Sequence, residues 1–141
     1  MKTLNQKAAQ LAVDAGVRAS TDVTGFSLLG HAWEMAAASG VGMIFEWEKI
    51  PLTNSAMHYA SQYIFPGGAY DNRLYFESHV RFERQLQDQD KLLLYDPQTS
   101  GGLLLCINPH QLDDFIDEAR KQDQPVWVIG RVVAGSDLLI I

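Results

Sequence analysis

Three short segments of this chain combine hydroxyls, glycines and carboxylates in patterns suited to holding anions and cations. The first, Ser20-Thr21-Asp22-Val23-Thr24-Gly25, runs into an apolar, helix-like stretch. Free backbone amides at a helix N-terminus favour phosphate, and a carboxylate beside them can hold the magnesium that accompanies a nucleotide. The same residues also read more plainly as a helix start with Thr24 or Asp22 as its N-cap. Position 27 is Ser, so the Glu or Gln of a reciprocal capping box is absent. The last segment, Asp96-Pro97-Gln98-Thr99-Ser100-Gly101-Gly102, runs into an apolar strand. Its consecutive amides and hydroxyls could cradle a phosphate, or its glycines could simply make the tight turn that a buried strand requires. It lacks the spacing and the Gly-Lys-Ser/Thr ending of a Walker A loop. Between the two, Pro66-Gly67-Gly68-Ala69-Tyr70-Asp71-Asn72 reads as a turn from its composition.

Other chemistries find little support. The four histidines, His31, His58, His79 and His110, show no zinc-ligand spacing among themselves or with Cys106. No nucleophile with an adjacent base is discernible, so no residue is nominated as catalytic. Cys106 is the only cysteine and rules out an intrachain disulfide. Within Leu103-Leu104-Leu105-Cys106-Ile107 it reads as an inert apolar residue buried in a strand.

The elements that must position these segments follow from periodicity. Leu4, Ala8, Leu11, Ala12 and Ala15 share one helical face, with Lys2, Gln6, Asp14 and Arg18 elsewhere and Gly16 placed to end the helix. A second helix is predicted over Phe26–Ser39, stopping at Gly40, and a strand over Val41–Trp47. A short helix is expected over Ser55–Ile64. The stretch Arg73–Tyr95 holds a short helix or strand and then a helix over Gln85–Leu94. Leu103–Ile107 is a strand. Asn108 caps the next helix, with Pro109 in its first turn and Leu112, Phe115, Ile116 and Ala119 as its apolar stripe. Strands over Pro125–Val133 and Leu138–Ile141 close the chain. This interleaving points to a mixed sheet covered by helices, an α+β (mixed α/β) fold in one domain over residues 1–141.

Composition narrows the function classes. The 141 residues are 47% hydrophobic and 20% charged, enough for a packed core. A net charge of −6 argues against nucleic acid, whose recognition leans on clustered Lys and Arg. Arg73, Arg81 and Arg84 are interleaved with Glu77 and Glu83 and read as a solvated face. No apolar run reaches membrane-spanning length and no signal-type segment opens the chain, so no membrane partner is expected and the location is cytoplasmic by default.

Taken together and in order, Thr21-Asp22-Val23-Thr24-Gly25-Phe26-Ser27-Leu28-Leu29-Gly30-His31, Pro66-Gly67-Gly68 with Asn72, and Asp96-Pro97-Gln98-Thr99-Ser100-Gly101-Gly102-Leu103-Leu104 resemble the C-terminal domain of the selenide, water dikinases (selenophosphate synthetases). The resemblance runs from about Leu4 to the C-terminus. One departure is Ser27, where the family usually has a second glycine; serine is tolerated in a first helical turn. The resemblance implies an enzyme that makes selenophosphate, AMP and phosphate from selenide, ATP and water with Mg2+. It implies a three-layer α/β/α unit, partly ferredoxin-like, as in aminoimidazole ribonucleotide synthetase. It implies that Asp22 holds magnesium at the nucleotide phosphates, that Thr21, Thr24 and Gly25 shape the loop, and that Thr99, Ser100, Gly101 and Gly102 face the same cleft. The family's N-terminal half, with its reactive Cys or selenocysteine and most ATP-binding carboxylates, is the implied partner domain, and the full-length form is a homodimer. This chain alone is therefore expected to be inactive. Two other readings remain: a related ATP-using enzyme of the aminoimidazole ribonucleotide synthetase, hydrogenase-maturation or thiamine-phosphate kinase type, and a non-catalytic binding module.

Overall fold

The apolar segment Leu103-Leu104-Leu105-Cys106 shows how the layers form, because both of its faces are covered. The computed structural model describes residues 4–141; Met1, Lys2 and Thr3, including the polar helix position assigned to Lys2, lie outside the described residues. In it, β4 (Leu103–Cys106) pairs antiparallel with β1 (Ala19–Asp22) in a two-stranded ribbon. Leu104 and Cys106 point into the main core, whereas Leu105 and Ile107 pack on a second cluster of Leu11, Phe115 and Ala119. That second cluster belongs to α1 (Gln6–Asp14) and α6 (Leu112–Lys121), which cover one side of the ribbon. On the other side lies α2 (Ser27–Ser39), whose buried residues are Ser27, Leu29, Gly30, Ala32 and Ala36. A strand covered on both faces loses the polar alternation of a half-exposed one, which is why this run is uniformly apolar.

The main sheet is separate and mixed. It holds β3 (Val80–Phe82), β6 (Leu138–Ile140), β2 (Gly42–Phe45) and β5 (Gly130–Val133), in the order β3-β6-β2-β5. The β2–β6 and β3–β6 pairs are parallel and β2–β5 is antiparallel. Met43, Phe45, Leu138 and Ile140 supply its core face, against Ala32, Ala36 and Phe76. The small residues of α2 allow close approach. At Gly30 an added Cβ would lie 2.6 Å from the Phe76 ring. The helix ends as its sequence indicates, on Gly40 in the left-handed conformation at φ 63°.

Three expectations change. Pro66–Asn72 is not a turn: Pro66 precedes α4 (Gly67–Phe76), and Gly67 and Gly68 occupy its first positions. Pro fixes an extended entry, and the first turn of a helix has no intrahelical partners for its amides, so glycines are tolerated there. The buried residues Ala69, Asn72 and Phe76 carry a helical period that the turn-forming residues obscured. The strand expected over Pro125–Val133 is confined to Gly130–Val133, and the preceding Val126, Trp127 and Val128 are exposed. Ser20–Asp22, read as loop, belongs to β1.

A fourth change is the N-cap of α2, which is Phe26 with no side-chain bond rather than Thr24 or Asp22, because Asp22 lies in β1. The remaining elements hold with shorter bounds. These include α3 (Ala56–Ala60), α5 (Asp88–Leu93) and the Asn108 cap, whose Oδ1 accepts from the His110 amide at 3.0 Å. Pro109–Gln111 first forms a 3-10 turn before α6 begins. Cys106 is half-buried rather than fully buried, and burial pushes its thiol pKa up, consistent with an unreactive role. Arg73 ties α4 to α5, donating to Asp88 at 2.7 Å and to Glu77 at 3.3 Å.

The tightest backbone approach lies at Gly130, where an added Cβ would sit 2.1 Å from the Ile44 carbonyl oxygen. No side-chain rotation relieves a clash with backbone. Gly130→Ala is expected to cost roughly 3 kcal/mol, the upper end of overpacking penalties, as β5 separates from β2. Urea denaturation of the two proteins measures it; equal midpoints would contradict this account of the sheet edge.

Candidate functional site

The β1–β4 ribbon does not end with its last strand pair. Asp22 sits opposite Leu103, and beyond it the Val23 amide donates to the Gly102 carbonyl at 2.9 Å. The Gly101 amide donates back to the Val23 carbonyl at 2.9 Å, and the Gln98 amide donates to the Thr24 carbonyl at 2.9 Å. Two segments far apart in sequence are thus joined by backbone bonds along nearly their whole length. Gly101 makes this approach feasible: a Cβ there would lie 2.8 Å from the Val23 carbonyl oxygen. Gly102 adopts φ 85°, which L residues with a side chain rarely adopt.

The expected site residues divide accordingly. Asp22, Thr99 and Ser100 are exposed, and Asp22 forms no ion pair among the described residues. Thr21 Oγ1 donates to the Asp22 carbonyl at 3.1 Å. The Gly101 amide is occupied by Val23, so the glycines serve the junction between the loops. Thr24 Oγ1 lies 3.0 Å from His31 Nε2. Gly25 is held through its carbonyl, which accepts from Asn72 Nδ2 at 2.9 Å.

Asn72 is a residue that sequence reasoning grouped with its motif without giving it a role. Its amide donates also to the Tyr95 carbonyl at 3.0 Å, and only 7% of the residue is exposed. One buried amide thus fixes the entry of α2, the middle of α4 and the end of the α5 turn relative to one another. The detectable signal was its spacing from Ala69 and Phe76 on a helical face.

Ser27 is the other surprise. It is fully buried at φ 70°, in the left-handed region, and its Oγ accepts from the Gly30 amide at 3.3 Å. The backbone conformation explains why glycine suits this position: a side chain there costs about 1–2 kcal/mol. The hydroxyl bond to Gly30 offsets part of that cost.

Burial perturbs two groups at the base of the loop. Asp96 has its pKa raised, first by burial, against a lowering by the Gln98 amide that donates to its carboxylate at 2.7 Å. Tyr95 is buried and its hydroxyl has no partner among the described residues. Burial, with a smaller push from the Glu77 charge, raises its pKa well above the ordinary phenol value. No group of three or more His, Cys, Asp or Glu among the described residues could hold a metal ion. Asp22 is an exposed carboxylate that offers one hard oxygen donor. No described helix is long and apolar enough to cross a membrane.

Comparison with known proteins places this geometry. The family model described as AIR synthase related protein, C-terminal domain, matches residues 1–141. The chain belongs to that family. This AIR synthase-related domain is 36% identical over its whole length to the selenide, water dikinase of Carboxydothermus hydrogenoformans, covering 41% of that protein. It is 39% identical over 133 residues to that of Caldanaerobacter subterraneus, covering 94% of this chain and 38% of the relative. With the Pseudomonas aeruginosa dikinase it shares 40% over 140 residues, 99% of this chain and 40% of the relative. The domain thus spans about two fifths of the curated relatives it matches. Among solved structures it resembles thiamine-monophosphate kinase from Stenotrophomonas maltophilia, with a TM-score of 0.55 at 19% identity over 88% of this chain and 31% of that one. It also resembles tt0281 from Thermus thermophilus, with a TM-score of 0.60 at 18% identity over 88% of this chain and 32% of that one. Those likenesses show the fold and carry no statement about substrate.

Two substitutions probe the loop junction. Asn72→Asp keeps the shape but replaces a double donor by an acceptor facing two carbonyls. It is expected to cost about 3 kcal/mol at neutral pH, measured by urea denaturation, because both carbonyls lose their donor and a charge is buried. Asp96→Asn acts in the opposite direction. Burial raises the folded pKa of Asp96, so its contribution is most favourable below the unfolded value near about 3.9 and declines as pH rises through the folded value. The Asn variant should therefore gain stability relative to wild type between acid and neutral pH and hold that gain above. A gap that shrinks on raising the pH would contradict it.

Proposed function

We propose that this chain is the C-terminal domain of a selenide, water dikinase, contributing one wall of a magnesium–ATP cleft through the joined Asp22–Gly25 and Asp96–Gly102 segments. The observation that carries the reading is the similarity of 36–40% to such dikinases across 94–100% of this chain. The geometry agrees with it: the two segments form one unit that leaves the Asp22 carboxylate and the Thr99 and Ser100 hydroxyls exposed.

In this reading selenide and ATP are the substrates of the longer, cytoplasmic protein, and selenophosphate, AMP and phosphate its products. Asp22 holds Mg2+ against the nucleotide phosphates as one oxygen ligand among several, the others coming from phosphate, water and the rest of the protein. The magnesium supplies charge neutralisation at the transferring phosphoryl group. Thr21, Thr24 and Gly25 shape the backbone that aims Asp22, and Thr99, Ser100, Gly101 and Gly102 line the same cleft. The N-terminal domain supplies the nucleophile and most nucleotide contacts, and this chain alone has no turnover.

Asp22→Asn in the full-length enzyme tests the assignment. Asparagine matches aspartate in shape and Asp22 is exposed at the end of β1, so a purely structural role predicts almost no loss. Loss of a metal ligand predicts a fall in rate of about 100-fold or more, roughly 3 kcal/mol of transition-state stabilisation. Thermal stability should barely move. Full selenophosphate formation at saturating magnesium would remove Asp22 from the metal site.

A further inference from the structure

Residues 51–70 contain no Asp, Glu, Lys or Arg, in a chain where these four make up 20% of all residues. A stretch without charge is ordinarily core, but this one lies largely at the surface. Met57, Tyr59, Tyr63 and Ile64, on α3 and just after it, are 46–56% exposed. Tyr70 and Leu74, one turn apart on α4, are 47% and 78% exposed. Single apolar side chains on a surface need no explanation, whereas a group of them does.

The group is joined by direct contacts. The Phe65 and Tyr70 rings meet edge to face with centroids 6.5 Å apart. The Tyr63 hydroxyl reaches α5 and donates to Gln89 Oε1 at 3.2 Å. Within the patch lies an open pocket of about 400 Å³, lined by Tyr59, Ile64, Phe65, Pro66, Leu93 and Asp96 among others. Enrichment in Tyr, Phe and Met with depletion of charge is the composition of the buried centre of a protein–protein interface. A pocket in such a centre is where an anchoring side chain of the partner seats.

Two observations name the partner. This chain spans only 38–41% of the dikinases it resembles, so in the proposed reading most of the longer protein lies outside these residues. The patch is also continuous with the loop junction. Asp96 lines the pocket and opens the Asp96–Gly102 segment, and a Cβ on Gly68 would lie 3.3 Å from the Pro97 ring. We propose that the α3–α4 surface seats the remaining domain of the longer protein, which inserts an apolar side chain into the pocket. The seat sets the distance between the two walls of the cleft. The inference rests on the reading of this chain as one wall of that cleft, and deepens it by naming the surface that holds the other. A second copy of this chain is the competing occupant, but a tethered domain acts at an effective concentration on the order of millimolar.

Thiol labelling tests the seat without reference to activity. Ile64→Cys and Tyr70→Cys are made separately in this chain and in the full-length protein, and labelling of each peptide is followed by mass spectrometry. Both positions are exposed, so both variants should keep the wild-type thermal midpoint. Each thiol should react about 10-fold or more slowly in the full-length protein than in this chain, because it is reached only when the seat opens. Ile64→Asp, combined with Tyr70→Cys in the full-length protein, should restore fast labelling, since a charge in the pocket opposes docking.

Equal rates in the two proteins would overturn the proposal, and slow labelling that persists with Ile64→Asp would overturn the pocket as its anchor. Protection that grows with the concentration of this chain alone, or is lost on diluting the full-length protein, would put a second copy on the surface and sink the assignment. Full activity in Asp22→Asn would remove the magnesium reading while leaving the protection standing, so the two failures are distinguishable.

Discussion

The backbone bond between the Gly101 amide and the Val23 carbonyl is the contact on which the arrangement of the candidate site depends. It continues the β1–β4 ribbon past its last strand pair and locks two segments separated by more than seventy residues of chain. A side chain at position 101 would meet the Val23 carbonyl at 2.8 Å, so the bond exists only because that residue is glycine. The Gln98–Thr24 and Val23–Gly102 bonds extend the same junction on either side. Asp22 and the Thr99–Ser100 hydroxyls, the exposed polar groups of the proposed site, lie on or between the segments these bonds join. The magnesium role proposed for Asp22 would need such presentation, since a metal ligand's geometry must be held within fractions of an ångström.

A second constraint works from behind. Asn72 bonds both to the Gly25 carbonyl and to the Tyr95 carbonyl from within the core, and so connects the junction to α4 and the α5 turn. Buried carbonyls without donors are costly, and a single side-chain amide here satisfies two. Ser27, in a left-handed conformation at full burial, accepts from the Gly30 amide at the start of α2. Strain of this kind persists where the surroundings over-determine it. The Phe76 ring against Gly30 and the tilted contact of Phe76 with Trp33 are part of those surroundings.

The division of the sheet into a buried ribbon and a separate four-stranded mixed sheet has a functional consequence. The mixed sheet carries most of the core, including Met43, Phe45, Leu138 and Ile140. The ribbon and its extension carry the proposed site. Because α2 packs on both, its position ties the ribbon to the core. The same fold recurs at 18–19% identity in other proteins.

Much of the fold was determined by local pattern. The period of α2, the glycine at its end, the Asn108 cap and the strand of leucines before it are all set by neighbours within a few residues, and they stand where the sequence places them. The family relationship was equally legible, because its motifs are contiguous. Local pattern misled where one residue type serves two purposes. Pro66-Gly67-Gly68 has turn chemistry but begins a helix, since only the burial of Ala69, Asn72 and Phe76 against the core decides between them. Pro125–Ile129 has strand composition, but pairing with β2 begins only at Gly130. The contacts across the junction could not be read at all. Gly101 against Val23 and Asn72 on two distant carbonyls depend on where the chain returns after long excursions. That return is settled by packing of the whole core, so tertiary structure alone decided which hydroxyls, amides and carboxylates meet.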